Sequence, residues 1–148
     1  MEFLVTMNPG QPLKPLTKVA SGGELSRISL AIHVITAATG RIPTLIFDEV
    51  DVGIGGGTAE VVGRMLRDLS RDRQVLCVTH QPQVAALGHQ HLQVNKFTSE
   101  NTTKATVAPL NDKQRTNEIA RMLGGIEITE QTLSHAEEMI QRSQSESA

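Results

Sequence analysis

Two adjacent carboxylates, Asp48 and Glu49, follow a short apolar run that has the composition of a buried strand. Open α/β sheets bind ligands at the carboxyl ends of parallel strands, so this pair lies where a substrate would sit. An aspartate there can hold a magnesium ion, usually through water, and a second carboxylate can orient an attacking water molecule. Taken alone, the pair is equally well explained as two solvated side chains in a loop.

A second segment, formed by Ser21, Gly22 and Gly23, comes directly before a predicted helix. Free N–H groups and the helix dipole make the start of a helix a site for anions. The glycines allow the backbone to approach phosphate oxygens, and the serine hydroxyl can add a hydrogen bond. Without its neighbours, this segment would be interpreted as an ordinary helix cap with Glu24 in the first turn.

A histidine, His80, follows the apolar run at positions 74–79. From the end of a strand it could hydrogen-bond a terminal phosphate and sense whether that phosphate is present, or it could simply face water. The remaining histidines have no comparable context, and none pairs convincingly with the single cysteine at the spacing of a zinc site. They are His33, His89, His91 and His135.

The elements that would position these residues form an α/β pattern. A strand at 44–47, a helix that begins at Thr58 and a strand at 74–79 predict a βαβ unit with parallel strands. The continuous apolar run at 44–47 predicts a strand covered on both faces. The glycine-rich loop at 53–57 is a poor match to a dinucleotide-binding loop, and we expect it to be mobile and to place Asp51 at a dimer interface.

Two helices of this unit show apolar residues at helical spacing. The helix after Gly23 is predicted to bury Leu25, Ile28, Ile32 and Ile35. The helix after Thr58 is predicted to bury Val61, Val62, Met65, Leu66 and Leu69.

The rest of the chain predicts a strand at 2–7, an extended turn-rich connection at 8–15 and a short helix at 82–88. A hairpin is expected from 91–97 and 103–110. Helices are expected at 112–123, ended by Gly124 and Gly125, and at 128–141, with Thr129 as a possible N-cap. The domain assignment is 1–142 for one globular unit and 143–148 for a polar, frayed tail.

Composition excludes several classes of function. The 148 residues carry a net charge of −2 and include three phenylalanines but no tryptophan or tyrosine. A base-stacking surface for single strands and a basic footprint for DNA are therefore not expected. The lone Cys77 lies in an apolar run, which is typical of a small buried side chain. Without a signal peptide or a membrane-spanning run, the expected location is the cytoplasm.

The motifs taken together resemble the RecN family of bacterial DNA repair proteins, whose members are SMC-like ATPases. The segments that carry the resemblance are NPGQPLKPL at 8–16, KVASGGELSR at 18–27, DEVDVGI at 48–54, VTHQPQVAA at 78–86 and EIARMLGG at 118–125. The resemblance covers nearly the whole chain. It implies an α/β fold, the C-terminal lobe of an ABC/SMC-type P-loop ATPase head, with a parallel βαβ core, flanking helices and a terminal hairpin.

The resemblance also implies roles for individual residues. Ser21, Gly22 and Gly23 would form the ABC signature and bind nucleotide. Asp48 would be the Walker B aspartate that holds the metal, and Glu49 and His80 would be the catalytic glutamate and the switch histidine. Asp51 would be the D-loop aspartate and would also contribute to the nucleotide site. The implied cofactors are ATP and Mg²⁺, and the implied setting is double-strand break repair and recombination.

One motif of such a head is absent. The phosphate-binding pattern G-x-x-x-x-G-K-[ST] does not occur, because no lysine follows a glycine. We therefore expect a C-terminal fragment that is inactive alone. Its expected partners are a Walker A lobe with a coiled coil from the same protein and a second head in a homodimer. DNA would be bound by the whole protein, and no membrane contact is expected. Position 81 departs from the pattern, since Gln81 stands where an apolar residue is expected.

Two other interpretations remain open at this point. One is the head of a different SMC- or ABC-type ATPase, although a transporter is disfavoured by the segments at 8–16 and 118–125. The other is a non-enzymatic receiver-like signalling module in which Asp48 accepts a phosphate. That fold requires an acidic pair after its first strand and a lysine after its last parallel strand, whereas the strand at 74–79 is followed by His80.

Overall fold

A computed structural model describes residues 4–6, 10–16, 22–40, 42–48, 51, 53–99, 102–125 and 127–145. Six strands and five helices occur within these ranges. The strands are β1 (Leu4–Val5), β2 (Lys14–Pro15), β3 (Thr44–Asp48), β4 (Gln74–Val78), β5 (Leu92–Ser99) and β6 (Thr102–Pro109). The helices are α1 (Gly22–Thr39), α2 (Gly56–Leu69), α3 (Pro82–Leu87), α4 (Asp112–Gly124) and α5 (Glu130–Ser145).

The predicted βαβ unit is confirmed. β3 and β4 pair in parallel, with Thr44 opposite Gln74 and Asp48 opposite Val78, and α2 connects them. α2 begins two residues before the predicted Thr58, at Gly56, whose φ of 54° is in the left-handed region that favours glycine. Because the strands are parallel and in register, their carboxyl ends lie side by side. The residues that follow the two strands are therefore neighbours.

The parallel pair is covered on one face only. Phe47 is buried in a core that also contains Leu30 and Val34 of α1 and Val62 and Leu66 of α2. On the opposite face Ile46, Leu76 and Val78 are exposed, Ile46 by 71%. The prediction that β3 is covered on both faces is therefore wrong. A continuous apolar run indicates that both faces of a strand could be covered. The described residues cover only one face of β3.

The buried stripe predicted for α1 is also wrong in most of its members. Leu25, Ile32 and Ile35 are exposed, whereas Leu30 and Val34, one turn apart, face the core. The helix is apolar around much of its circumference, so spacing alone cannot select the buried face. In α2 the prediction holds for Val62 and Leu66, which are buried, and Leu69 packs against the same core. It fails for Val61 and Met65, which are exposed.

A second core lies between α3, α4 and α5. Its fully buried members are Ala86, Ile119, Ala120 and Ala136. α4 begins with a reciprocal cap, in which Asn111 accepts from the Gln114 amide at 2.9 Å and the Gln114 side chain accepts from the Asn111 amide at 3.0 Å. The helix is followed by its C-cap residue Gly125, whose φ is 72°. The predicted helix at 112–123 and its glycine stop are confirmed.

The N-cap suggested for the last helix is confirmed, because the Thr129 hydroxyl accepts from the Thr132 amide at 3.2 Å. This helix continues to Ser145, beyond the position where a frayed tail was expected to begin. Ser143 is buried and donates to the Ile140 carbonyl at 2.6 Å. Residues 146–148 lie outside the described part of the chain.

The predicted hairpin is confirmed as β5 and β6, an antiparallel pair with Val94 opposite Val107. The face of the hairpin that contains Gln93 lies towards α4, where the Gln93 side chain donates to Glu118 at 2.7 Å. Leu92, Val94 and Val107 on the other face are exposed. The short β1 pairs antiparallel with β2, which lies within the predicted extended connection.

Helix α3 has six residues and is fixed at its C-terminal end by two arginines. Arg67 of α2 donates to the Leu87 carbonyl at 2.5 Å. Arg115 of α4 is buried and donates to the carbonyls of Ala86 at 2.9 Å and Gly88 at 2.5 Å. Cations at a helix C-terminus complement the helix dipole and satisfy carbonyls that have no partner within the helix.

Helices α2 and α3 pack closely. A Cβ built on Gly63 would lie 2.6 Å from Leu87 Cδ1 and 3.2 Å from Val84 Cα. Glycine at this position permits the two helices to approach. The start of α3 is thereby held close to the loop that precedes α2.

Candidate functional site

The predicted site residues that the structure describes meet at the carboxyl edge of β3 and β4. Asp48 ends β3 opposite Val78, and its side chain is exposed. Thr79 and His80 follow β4 directly. Asp51 lies three residues beyond Asp48, in the loop that leads to α2. Glu49 lies outside the described residues.

Asp51 is fully buried and joins its loop to the end of β4. Its Oδ2 atom accepts hydrogen bonds from the Thr79 hydroxyl, from the His80 amide at 3.1 Å and from the Gln81 amide at 3.2 Å. Several donors on one oxygen stabilise a carboxylate in its ionised form. Within the described part of the chain, Oδ1 is buried without a hydrogen-bond partner. Asp51 therefore fixes the backbone of the segment that contains His80. It does so with Oδ2 alone.

His80 is held by its backbone and offers its ring to solvent. Its amide is fixed by Asp51, while 68% of its side chain is exposed. The ring Nδ1 atom lies 3.5 Å from Asp51 Oδ2, which is close enough for charge attraction but longer than a hydrogen bond. The ring could thus reach a ligand placed at the strand ends.

The two aspartates make this edge electronegative. Burial, followed by the negative charges of Asp51 and Asp48, raises the pKa of the neighbouring Cys77 thiol to about 11. A field that disfavours a thiolate favours a cation, and carboxylate oxygens are the ligands that Mg²⁺ prefers. The donor set at Asp48 therefore fits a magnesium ion. Within the described ranges, no group of three or more acidic, histidine or cysteine side chains forms a complete metal site.

The predicted anion-binding segment lies at the start of α1. Gly22 is the first helical residue, and Ser21 is outside the described residues. Arg73, immediately before β4, donates to the Ala37 and Gly40 carbonyls at the other end of this helix. The C-terminal end of α1 therefore lies at the amino edge of the strands, so the helix starts on the side where the strands end.

The lengths of the elements separate this helix start from the strand ends. α1 has 18 residues and spans about 27 Å, whereas β3 has five and spans about 17 Å. The start of α1 consequently extends past the strand ends.

Two residues of the site were given no role by the sequence. Thr79 donates to Asp51 and also accepts from the Gln81 amide at 3.0 Å. The Gln81 side chain donates to the Ile54 carbonyl at 2.9 Å. The signal for Gln81 was present in the sequence, since it is the polar residue at a position where an apolar one was expected.

Solved structures place this fold in a class. A structure from work on the ATP-driven dimerization and DNA-stimulated activation of SMC ATPases aligns with a TM-score of 0.63, covering 84% of this chain and 81% of that one, at 18% identity. The Smc head domain with a coiled coil and joint from Pyrococcus yayanosii aligns with a TM-score of 0.60, covering 78% and 24%, at 19% identity. The chain has the fold of an SMC-type ATPase head, as the α/β prediction required.

Sequence relatives narrow the class further. The chain is 59% identical over 138 residues to the DNA repair protein RecN of Vibrio cholerae, 57% to that of Haemophilus influenzae and 43% to that of Bacillus subtilis. These matches cover at least 93% of the chain but about a quarter of each relative. No protein-family model matches. The similarity to RecN that the motifs indicated is confirmed.

Among the described residues, no helix is long and apolar enough to cross a membrane.

Proposed function

We propose that this chain is the C-terminal lobe of the ATPase head of a RecN-like protein and that the whole protein acts in the repair of DNA double-strand breaks. The observation that carries the proposal is the junction of Asp51 with Thr79 and His80 at the edge where β3 delivers Asp48. Two segments converge there, the one with Asp48 and Asp51 and the one with Thr79 and His80, and Asp51 and Thr79 are 28 residues apart in sequence. The high identity to RecN favours this function over a different SMC or ABC head and over a receiver-like module.

The roles of the residues follow from their positions. Asp48 would hold Mg²⁺ through water, and Glu49, the next residue, would orient the water molecule that attacks the terminal phosphate. His80 would hydrogen-bond that phosphate with its exposed ring. Asp51 would position His80 and, through its loop, take part in the contact between two heads. Bound Mg²⁺ and ATP would supply the neutralised, in-line phosphate on which this chemistry depends.

Hydrolysis would require a second lobe. The sequence contains no glycine-rich loop with lysine to cradle the phosphates, and positioning provides most of the catalysis in phosphoryl transfer. The open face of the parallel pair, with Ile46, Leu76 and Val78 exposed, supports a covering layer from the remaining three quarters of the protein. We expect that layer to carry the Walker A motif and to lead into the coiled coil.

The signature would serve a different nucleotide from the carboxylates. The start of α1 lies on the ligand side but extends past the strand ends, which supports a role for Ser21, Gly22 and Gly23 in capping ATP on a partner head. In such a homodimer Asp48, Glu49 and His80 would act on the ATP of their own head. Each composite site would then contain residues of both subunits.

Mixed dimers of the full-length protein test this arrangement. A Ser21→Arg subunit paired with a Glu49→Gln subunit should retain roughly half of the ATPase activity, because both lesions fall on the same composite site and the other site stays intact. Each homodimer should be inactive. Ser134→Arg, which adds the same charge at an exposed serine of α5, is the matched control and should keep full activity.

Two results would contradict the proposal. A mixed dimer as inactive as both homodimers would exclude the assignment of the signature to the partner head, or the independence of the two sites. Magnesium-dependent ATP turnover by the 148-residue chain alone, abolished by Glu49→Gln, would show that no second lobe is needed.

A further inference from the structure

The side chain of Gln81 lies between the Ile54 carbonyl and the ring of His80. The side-chain amide nitrogen of Gln81, Nε2, lies 2.9 Å from the Ile54 carbonyl oxygen. A backbone carbonyl is only an acceptor, so the group that faces it must be the NH₂ of the amide and not its oxygen. This contact fixes which end of the Gln81 amide is which.

The same NH₂ group lies 3.3 Å from Nε2 of His80. An amide NH₂ only donates, so Nε2 must accept and cannot carry a hydrogen in this arrangement. A neutral imidazole carries one proton, which is then on Nδ1. Nδ1 lies 3.5 Å from Oδ2 of Asp51, an acceptor oxygen, and this position favours a ring N–H over a lone pair. The two neighbours of the ring select the same tautomer.

We infer that Gln81 is a positioning residue that holds neutral His80 in the Nδ1–H tautomer and links it to the loop of Asp51 and Ile54. Four contacts make this link. The backbone N–H of Gln81 donates to Asp51 and Thr79. Its side-chain NH₂ contacts Ile54 and His80. Histidine side chains in water prefer the other tautomer, with the proton on Nε2. The arrangement at His80 is thus imposed by its surroundings.

This inference deepens the proposed function and rests on it for its consequence. A phosphate oxygen is an acceptor and can be bound by Nε2 only when Nε2 carries a hydrogen. In the described state Nε2 carries a lone pair, which Gln81 occupies. His80 could contact a terminal phosphate only after the Gln81 amide turns away and a proton reaches Nε2. The Gln81 side chain therefore occupies the position from which Nε2 would contact a phosphate.

The tautomer is measured directly by long-range ¹H–¹⁵N correlation spectra of the histidine rings in this chain, without nucleotide. The spectra are recorded at pH 8.5, about two pH units above the ordinary histidine pKa of about 6.5. In the unsubstituted chain His80 should be mainly Nδ1–H. Gln81→Leu removes the donor and should reverse the ratio of the two tautomers at His80. Gln81→Glu places an acceptor beside Nε2 and should reverse it at least as far.

Gln90→Leu makes the same chemical change at an exposed glutamine and should leave His80 unchanged. The signals of His33, His89, His91 and His135 report in the same spectra whether each variant is folded. A dominant Nε2–H signal at His80 in the unsubstituted chain would overturn the inference, and so would an unchanged ratio in Gln81→Leu. Because no nucleotide is present, failure of the proposed ATPase function would leave this measurement unaffected.

Discussion

The two packed regions of the molecule differ in how completely they cover their apolar surface. Around α3, α4 and α5 the core is closed, and the buried Arg115 satisfies the carbonyl end of α3. Around β3 and β4 one face is packed, and the other exposes Ile46 and Val78. The region that carries the predicted chemistry is thus the one with an uncovered apolar face. Under the proposed function, this is the face that a second lobe would cover.

The closed region should be the more sensitive to losing a single side chain. Arg115→Met keeps the bulk of the side chain but leaves the Ala86 and Gly88 carbonyls without their donor. We expect a loss of about 2–4 kcal/mol in the free energy of unfolding. Urea denaturation measures it. Arg142→Met, which removes an exposed arginine and its exposed ion pair with Glu138, should cost less than about 1 kcal/mol. Equal losses for both variants would show that the buried contacts of Arg115 contribute nothing special.

The open face can be tested within one strand. Val75 packs against the core from the covered face of β4, whereas Val78 is 58% exposed on the other. Val75→Thr should cost about 1–2 kcal/mol in the free energy of unfolding, because it buries a hydroxyl. The same change at Val78 should cost less than about 0.5 kcal/mol. If Val78→Thr is the more damaging of the two in a monomeric sample, the face is not open.

The smallest effect on stability is expected from the thiol on the covered face. Since burial and two aspartates raise the pKa of Cys77 from 9.0 to about 11, alkylation at pH 8 should be up to roughly 100-fold slower than in urea. The stability gained by keeping the thiol protonated is complete below pH 9 and is lost as the pH rises towards 11. Cys77→Ser should remove that alkaline loss. Equal alkylation rates in the folded and unfolded chain would place Cys77 outside the packed face.

Local patterns predicted the elements well where one pattern excluded the others. The glycines after α4 and the two apolar strands around α2 each allow a single arrangement. The buried faces could not be predicted in the same way. α1 presents Leu30 and Val34 on one side and Ile32 and Ile35 on another, and only the position of the neighbouring layer selects between them.

The candidate site was predicted in its charged residues and not in its supporting ones. Asp48, Asp51 and His80 were identified because their types and spacing suggest chemistry, and the structure brings them to one edge. The depth of Asp51 and the donors from Thr79 and Gln81 depend on a loop meeting a strand 28 residues away. No local pattern reports such a meeting. The roles of Ser21 and Glu49 remain predictions.

Helix α3 is held by hydrogen bonds from other elements at both of its ends. A helix of six residues is too short to hold its shape alone. Asp51 fixes the turn at its beginning, and arginines from α2 and α4 fix its end. The backbone next to His80 is therefore connected through α3 to both α2 and α4. Glu118 of α4 in turn accepts from Gln93, which connects the hairpin to the same set of helices.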